Sequence, residues 1–411
     1  MTISQKKLKI LVMKDKMVNI HIIALAALGG GISGGDRIFI ELARRWSKTV
    51  TVNLYVWEEG KLMCQRENLS GKFLKINLVK VGNFSKLGFI LTYFYRIFLG
   101  IALGVKLKMK DGTYVYSASE FWMDFIPAFL LKLRYPKIKW VAAWFQTAPN
   151  PLTGFTEGKR KDSYRLSAFL YWFTQQLAKP FISGFADLVL VNNELEKKQF
   201  SGSTEHNRII VLQGAVNIQA ISEYLNMHKS PKIKKYLAVF QGRFHPQKGV
   251  VELIDIWKSV IQKIPSARLA MIGDGPLMSK VKKRIRELNL ENSVDLYGYL
   301  HDGGKKYSVF NNSMIIVHPS FYDSGGMAPA EGMAFGMPCI GFNLESFRHY
   351  YPAGMLKVPV GDINAFSGAI LMLTKNKEKY QKISKEAKEA VEKEWSWDDR
   401  AKKLLDDITS I

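Results

Sequence analysis

At 411 residues, with 47% hydrophobic and 23% charged side chains, the chain has the composition of a soluble globular protein and is too long for one ordinary domain. Two cysteines, Cys64 and Cys339, exclude a disulfide framework or a cysteine zinc site and point to a reducing compartment. The 59 Lys+Arg against 36 Asp+Glu give a net charge of +23, which calls for a phosphate-rich partner: nucleic acid, an anionic bilayer, or a nucleotide substrate. At the N-terminus, charges break the only apolar run, Leu8 to Met13, so no secretory leader is expected. Residues 18–28 then form a continuous apolar run, as in a central parallel strand. It feeds Gly29, Gly30, Gly31, Ile32, Ser33, Gly34 and Gly35, a loop able to approach a phosphate or sugar closely, and Asp36 is expected to cap a helix reaching about Lys48. The spacing is not the GxGxxG of dinucleotide binding.

Further strands are expected at 51–57, 73–79, 113–118, 139–146, 188–193 and 208–212. Helical stretches separate most of them, as in a doubly wound sheet. Residues 87–105 carry a single charge, Arg96, at their centre and lysines beyond both ends. That pattern reads as a buried or interfacial helix and not as a membrane span. A polar, lysine-rich run at 226–235 reads as a linker. Strands resume at 236–242, 267–272, 294–299, 314–318, 338–342 and 356–359, again alternating with helices. The expected architecture is therefore α/β, two Rossmann-like doubly wound domains facing across a cleft. Ligands should sit beyond the carboxyl ends of the strands.

The densest chemistry lies in the second half. The strand at 236–242 runs into Gly242-Arg243-Phe244-His245-Pro246-Gln247-Lys248-Gly249, which sets two cations, Arg243 and Lys248, at one strand end. A departing pyrophosphate needs such charge, and without a metal the protein must supply it. Gly273-Asp274-Gly275-Pro276 reads as a tight turn. After the strand at 314–318 comes SFYDSGGMAPAEGMAFGMPCIGF, residues 320–342. Here a carboxylate, Asp323, precedes Gly325 and Gly326. Pro329 stands where a helix begins and Glu331 falls in its first turn. Free amides at that helix start would meet an anion, and two flanking carboxylates would accept hydrogen bonds from hydroxyls. A sugar nucleotide offers both groups.

In their order, these motifs resemble family 4 glycosyltransferases, retaining enzymes of GT-B architecture. GRFHPQKG is similar to the family's phosphate motif, IGDGP to its turn, and VHPSFYDSGGMAPAEGMAFGMPCIG to its pair of acidic residues separated by seven. VPVGDINAF and WSWDDRAKKLL resemble its late segment and terminal helix. The first half matches more loosely, through Gly34-Gly35, Tyr116-Ser117-Ala118, Ala186-Asp187 with Val191-Asn192-Asn193, and Gly214-Ala215-Val216-Asn217. The resemblance implies an N-terminal acceptor-side domain over 1–218, a nucleotide-sugar domain over 219–394, and a terminal helix at 395–411 crossing back to the first domain.

It also implies roles. Arg243 and Lys248 would hold the diphosphate, and Glu331 the ribose hydroxyls. Gly325, Gly326 and Met327 would offer amides, Asp323 would lie beneath the transferred sugar, and Gly34 or Gly35 would meet the diphosphate from the other domain. A UDP- or GDP-sugar would donate its glycosyl unit to an acceptor hydroxyl on a lipid-linked or polysaccharide glycan, with retention and with no metal or other cofactor. Two positions depart from the pattern: Asp replaces Glu at 323, and Gln146 stands where the family has a histidine. Gln146 can hydrogen-bond a sugar hydroxyl but cannot carry a proton charge. His21, inside the first strand, reads as core.

Lys106, Lys108, Lys110, Lys132, Arg134, Lys137, Lys139, Lys159, Arg160, Lys161 and Arg165 accompany aromatic segments at 84–98 and 169–173. They suggest a cytoplasmic protein with a surface for an anionic bilayer; a solvated basic face is the plainer alternative. No nucleic-acid motif accompanies the charge, so no nucleic acid is expected. A catalytically silent nucleotide-binding relative and a sugar-nucleotide epimerase are the competing readings.

Overall fold

A computed structural model describes residues 18–27, 31–80, 88–155, 164–200 and 208–411. The Leu8 to Met13 run, Gly29, Gly30, Phe84, Leu87, Lys159, Arg160 and Lys161 lie outside the described residues. The chain divides into two compact units: Met1–Phe145, Thr174–Leu212 and Asp398–Ile411 form one, Gln146–Phe173 and Gln213–Trp397 the other.

In chain order the first sheet and its helices are β1 Asn19–Ile23, α1 Gly34–Trp46, β2 Thr51–Val56, α2 Glu58–Arg66, β3 Leu74–Leu78, α3 Gly88–Lys106, β4 Tyr114–Ser117, α4 Trp122–Arg134, β5 Lys139–Trp144, α5 Arg165–Phe185, β6 Leu188–Val191, α6 Glu194–Lys198 and β7 Arg208–Val211. The seven strands are parallel, in the order β3-β2-β1-β4-β5-β6-β7. The order reverses between β1 and β4, which makes their carboxyl ends the topological switch point of this sheet.

Two local features differ from the sequence expectation, each for a hydrogen-bonding reason. The first strand ends at Ile23, well short of 28, because the amides of Leu25 and Ala26 turn to donate to the buried carboxylate of Asp124 at 2.6 and 2.9 Å. Ser33, not Asp36, is the N-cap of α1: its hydroxyl accepts from Asp36 N, and the Asp36 carboxylate accepts in return from Ser33 N, a reciprocal capping box.

The second sheet comprises α7 Ile218–Met227, β8 Tyr236–Gln241, α8 Val250–Ile261, β9 Leu269–Ile272, α9 Met278–Glu287, β10 Val294–Gly298, α10 Gly304–Asn311, β11 Ser313–His318, α11 Ala328–Ala334, β12 Cys339–Phe342, α12 Glu345–Tyr350, β13 Met355–Val358, α13 Ile363–Lys375 and α14 Lys377–Glu394. Its six parallel strands run β10-β9-β8-β11-β12-β13, so the switch point falls between β8 and β11. Period-two alternation puts a core on each face: Ile315 and Val317 enter one, Ile316 the other. The last helix, α15 Trp397–Thr409, belongs from Asp398 onward to the first unit. There Trp46 Nε1 donates to Ala401 O at 2.8 Å, and Arg45 pairs with Asp398 at 3.0 Å. Among the described residues no helix is long and apolar enough to cross a membrane.

Candidate functional site

The two loops leaving β8 and β11 carry the residues singled out above. Parallel neighbours on either side of a switch point splay their connections to opposite faces, and this opens space above the strand ends. After β8 the backbone passes Gly242 and Arg243, turns through a short 3-10 segment Pro246–Lys248, and enters α8 at Gly249. Gly249 is left-handed, φ 62°, and a Cβ there would stand 2.0 Å from Pro319 O; only glycine lets the β8 loop rest directly on the β11 loop. The carbonyl of Gln247 fastens the same pair of loops, accepting from Phe321 N at 2.8 Å.

Asp323 is the hub. Its side chain is 6% exposed, and its carboxylate takes four donors. The ammonium of Lys248 and Nε2 of His318, the latter at 3.0 Å, meet Oδ2; the amides of Gly325 and Gly326, at 3.2 and 2.9 Å, meet Oδ1. Burial alone would push this carboxyl up, but Lys248 and His318 outweigh it and hold the group ionised, well below the usual carboxylate range. His318 ends β11, sandwiched against Phe240 and Phe347, and burial lowers its basicity. It is therefore the neutral imidazole whose proton sits on Nε2, while Nδ1 finds no partner among the described residues.

This geometry differs from the expectation in one respect. The amides of Gly325 and Gly326 point back at Asp323 and not outward. An aspartate readily accepts from the amides two and three residues ahead, and it is one methylene too short to reach past its own turn. Gly325 is held in place, φ 123°, with the Tyr350 ring where a side chain would be. Met327 stands at the N-cap of α11 and takes no part in the Asp323 cluster. The turn is clamped further by Ser346 Oγ, which donates to Asp323 O at 2.6 Å, and by the Tyr351 hydroxyl on Gly326 O.

Glu331, in the first turn of α11, is buried and ion-paired through Oε2 with Lys306, which is itself 1% exposed and also bonds Asp302 at 2.8 Å. Oε2, though within ion-pair reach of Lys306, makes no hydrogen bond among the described residues. Arg243 is exposed and pairs with no described carboxylate. Gln146 follows β5 and belongs to the second unit. Its carbonyl accepts from the Tyr171 hydroxyl at 2.9 Å, and the next carbonyl, of Thr147, accepts from the Tyr322 hydroxyl at 2.6 Å. Tyr322 thus ties the segment carrying Gln146 to the residue beside Asp323. The structure accordingly brings Arg243, Lys248, Asp323, Gly325, Gly326, Met327 and Glu331 to one end of the second sheet. Gly34 and Gly35 lie in the first unit, at the start of α1.

Four functional candidates were not legible beforehand. His318 reads as core because a lone histidine closes an apolar strand. Lys306 falls in the first turn of a short helix with no motif around it, and Tyr322 reads as one more aromatic. Asp124 looks like a helix cap, yet in the first unit it joins the β4 side of the switch point to the β1 side. Burial pushes its carboxyl up to about 8, against the opposing hydrogen bonds from Ser119, Ala26 and Leu25. His21 is buried core as expected, beside Tyr55 and Asn19, and burial lowers it to about 4.

Residues 224–390 match the family model described as "Glycosyl transferases group 1". An uncharacterized glycosyltransferase of Methanocaldococcus jannaschii is 26% identical over 203 residues, 46% of this chain and 45% of that protein. A phosphatidyl-myo-inositol mannosyltransferase of Mycobacterium leprae is 22% identical over 291 residues, 69% of this chain and 75% of that one. The chain spans under half the length of several curated relatives it matches. In structure it superposes on Anabaena HepE in complex with UDP-glucose with a TM-score of 0.70 at 14% identity, covering 96% of this chain and all of that one. The fold, two parallel-sheet α/β domains, is that of GT-B structures.

Proposed function

We propose that this chain, whose residues 224–390 carry a group 1 glycosyl transferase domain, moves a glycosyl unit from a UDP- or GDP-sugar to an acceptor hydroxyl with retained configuration and without a metal. The observation that carries the proposal is the junction at the β8/β11 switch point. There Lys248 and Asp323 bond across two loops, beside an uncommitted Arg243 and a half-committed Glu331. Lys248 has three N–H donors and Asp323 occupies one, so the ammonium is fixed in place with donors left for a diphosphate oxygen. Arg243 adds a cation whose planar fork suits phosphate. The Glu331 carboxylate keeps acceptor capacity for the ribose hydroxyls.

In the reaction, the glycosidic C–O bond to the diphosphate breaks as its electrons pass to the leaving oxygen. That oxygen takes the acceptor hydroxyl's proton on the same face as the new bond forms. Asp323, held ionised beneath the reacting centre, supports the positive charge developing on the sugar, and the Gln146 amide orients a sugar hydroxyl. The M. leprae mannosyltransferase, named for a phosphatidyl-myo-inositol acceptor, supports a lipid-linked or polysaccharide acceptor for this chain as well.

Calorimetry with UDP, GDP and ADP, followed by turnover of the corresponding sugars, tests the proposal. Micromolar binding of one nucleoside diphosphate that Arg243→Ala weakens at least tenfold is expected. Binding of none of them, or binding indifferent to Arg243 and Glu331, overturns it. Tight binding without release of nucleoside diphosphate to any acceptor overturns transfer and leaves a nucleotide-binding protein.

A further inference from the structure

The helices on one face of the first sheet are amphipathic the wrong way round for a helix facing water. Helix α3 lies directly on α4: a Cβ on Gly100 or Gly104 would come within 2.9 Å of Met123 O or of the Pro127 backbone, so the two backbones touch. Arg134 closes the joint by donating to Gly104 O at 2.6 Å and Leu107 O at 3.1 Å. On the other side of α4, Phe129 meets Phe181 and Phe185 of α5 with ring centroids 5.2 and 4.9 Å apart. The three helices form one layer. Its outward positions on α3 are Leu91, Phe94, Phe98, Ile101 and Val105, spaced three and four apart along one stripe, with Phe94 and Phe98 59% and 63% exposed. On the part of α5 in this unit, Leu177, Phe181 and Phe185 are exposed four apart. Of the nineteen exposed large hydrophobic side chains among the described residues, five are on α3 and three on the part of α5 in this unit, so this is a patch and not the ordinary scatter of a surface.

Cations outnumber carboxylates around it, where Asp111 pairs with Lys137 and Glu59 with Arg96. Neither α3 nor α5 contains an Asp or Glu, and the one acid of α4, Asp124, is buried. Arg96, which interrupts the apolar run of α3 in the sequence, turns away from the stripe to pair with Glu59 at 3.1 Å and lie over Trp57. Lys106, Lys108 and Lys110 are exposed where α3 ends.

We propose that the outer face of this layer docks on an anionic bilayer. The phenylalanine and leucine stripes would enter the headgroup and upper acyl region, and the flanking lysines would meet lipid phosphates. A second copy of the chain would set like cations against like, and nucleic acid would have no use for two rows of phenylalanine and leucine. Because no described helix can cross a membrane, the attachment is interfacial. The inference does not require glycosyl transfer, and binding is read without turnover.

The test is flotation of the full chain with vesicles of phosphatidylcholine alone or mixed with phosphatidylglycerol, at low and high salt. Binding to the mixed vesicles, weakened by salt, is expected, with Phe94→Asp/Phe98→Asp losing it at least tenfold. Lys106→Gln/Lys108→Gln/Lys110→Gln should lose the preference for phosphatidylglycerol. A Phe98→Trp variant, which keeps the stripe apolar, should show quenching of the new indole by brominated acyl chains. None of these residues touches the donor site, so nucleotide binding should persist in all the variants. Equal failure to bind both vesicles, binding indifferent to Phe94 and Phe98, no added quenching in the Phe98→Trp variant, or a stable dimer dissociated by the Phe94/Phe98 change would each overturn the proposal.

Discussion

Replacing Lys248 with methionine separates the structural work of that side chain from its work on a ligand. The substitution keeps the aliphatic stem and leaves Asp323, 6% exposed, without its cation. Removing one partner of a buried pair ordinarily costs about 3–5 kcal/mol, because the remaining charge is stranded. Here the penalty should be smaller and dependent on pH, because His318 is already bonded to the same oxygen. Lys248 is one of the influences holding that imidazole neutral, and without it the ring gains basicity and can take over as counter-ion.

The sign follows from linkage. Burial is the largest influence lowering His318, but without Lys248 its folded-state pKa rises relative to wild type, so the variant's deficit narrows as pH falls and widens as pH rises. Relative to wild type, Lys248→Met should be less stable by about 2–3 kcal/mol near pH 8, a shift of about 5–10 °C in the affected calorimetric transition, and by about 1 kcal/mol near pH 6. Adding Asp323→Asn removes the stranded charge while keeping an acceptor for the glycine amides. The double variant should therefore recover stability at the higher pH. A deficit that does not change with pH, or a double variant no more stable than Lys248→Met alone, would show that the three side chains are not electrostatically linked as drawn.

Other perturbations have equally definite outcomes. Arg243→Ala should weaken nucleoside-diphosphate binding by about 1.5–3 kcal/mol, one charge-assisted contact, with no change in melting temperature because the side chain is exposed and has no described carboxylate partner; a shifted melting curve with unchanged affinity would refute this. Glu331→Gln should lower both affinity and stability, since Lys306 is 1% exposed and would lose one of its two paired carboxylates; thermal unfolding without ligand checks the second part, and an unchanged midpoint sinks it. His21, lowered to about 4, lets the unfolded chain bind its proton first as the medium is acidified. Stability should therefore fall between about pH 6.5 and 4, more steeply in wild type than in His21→Phe, and parallel melting curves across that range would be the contrary result. Tyr322→Phe removes the hydroxyl on Thr147 O and should lower kcat through Gln146 with nucleotide affinity kept, which paired turnover and binding measurements read directly.

Order and type of the strands were legible because parallel strands buried on both faces are short apolar runs punctuated by glycine turns, and all thirteen lie where such runs stand. The cations of 242–249 and the acids of 323–331 were legible too, since each leaves a recognisable strand end. What could not be read was which polar groups would spend their hydrogen bonds on each other. Asp323 was expected to look toward a ligand and instead closes its own turn. Glu331 meets Lys306, which no spacing rule connects to it, and His318 is hidden in its strand. These pairings arise from three-dimensional neighbours across β8, β11 and α10, and hydrophobic periodicity carries no information about them. Arg96 shows the same limit from the other side. In sequence it spoils an apolar helix; in the fold it leaves the stripe intact by turning to Glu59.

The two switch points show what the sheet topology demands and what it leaves to chemistry. Each unit has to hold together two loops that leave neighbouring strands toward opposite faces: in the first, Asp124 accepts from the amides of Leu25 and Ala26 across the junction, and in the second, Asp323 closes its own turn on the amides of Gly325 and Gly326 and reaches the other loop through Lys248. In the first unit the fastening is paired with no cation among the described residues. Asp124 is met by two amides and a serine hydroxyl, and burial raises its carboxyl to about 8, so near neutrality it can pin the strand end with little charge. In the second unit Lys248 and His318 stand against Asp323 and keep it fully charged. If the role were fastening alone, the second site would have no need of a buried ammonium, which is harder to desolvate than a hydroxyl. A fixed cation at a strand end, next to an arginine that pairs with no described carboxylate, is explained by an anion that comes and goes. That asymmetry between the two junctions is why we propose the β8/β11 loops, and not those of the first sheet, as the diphosphate site.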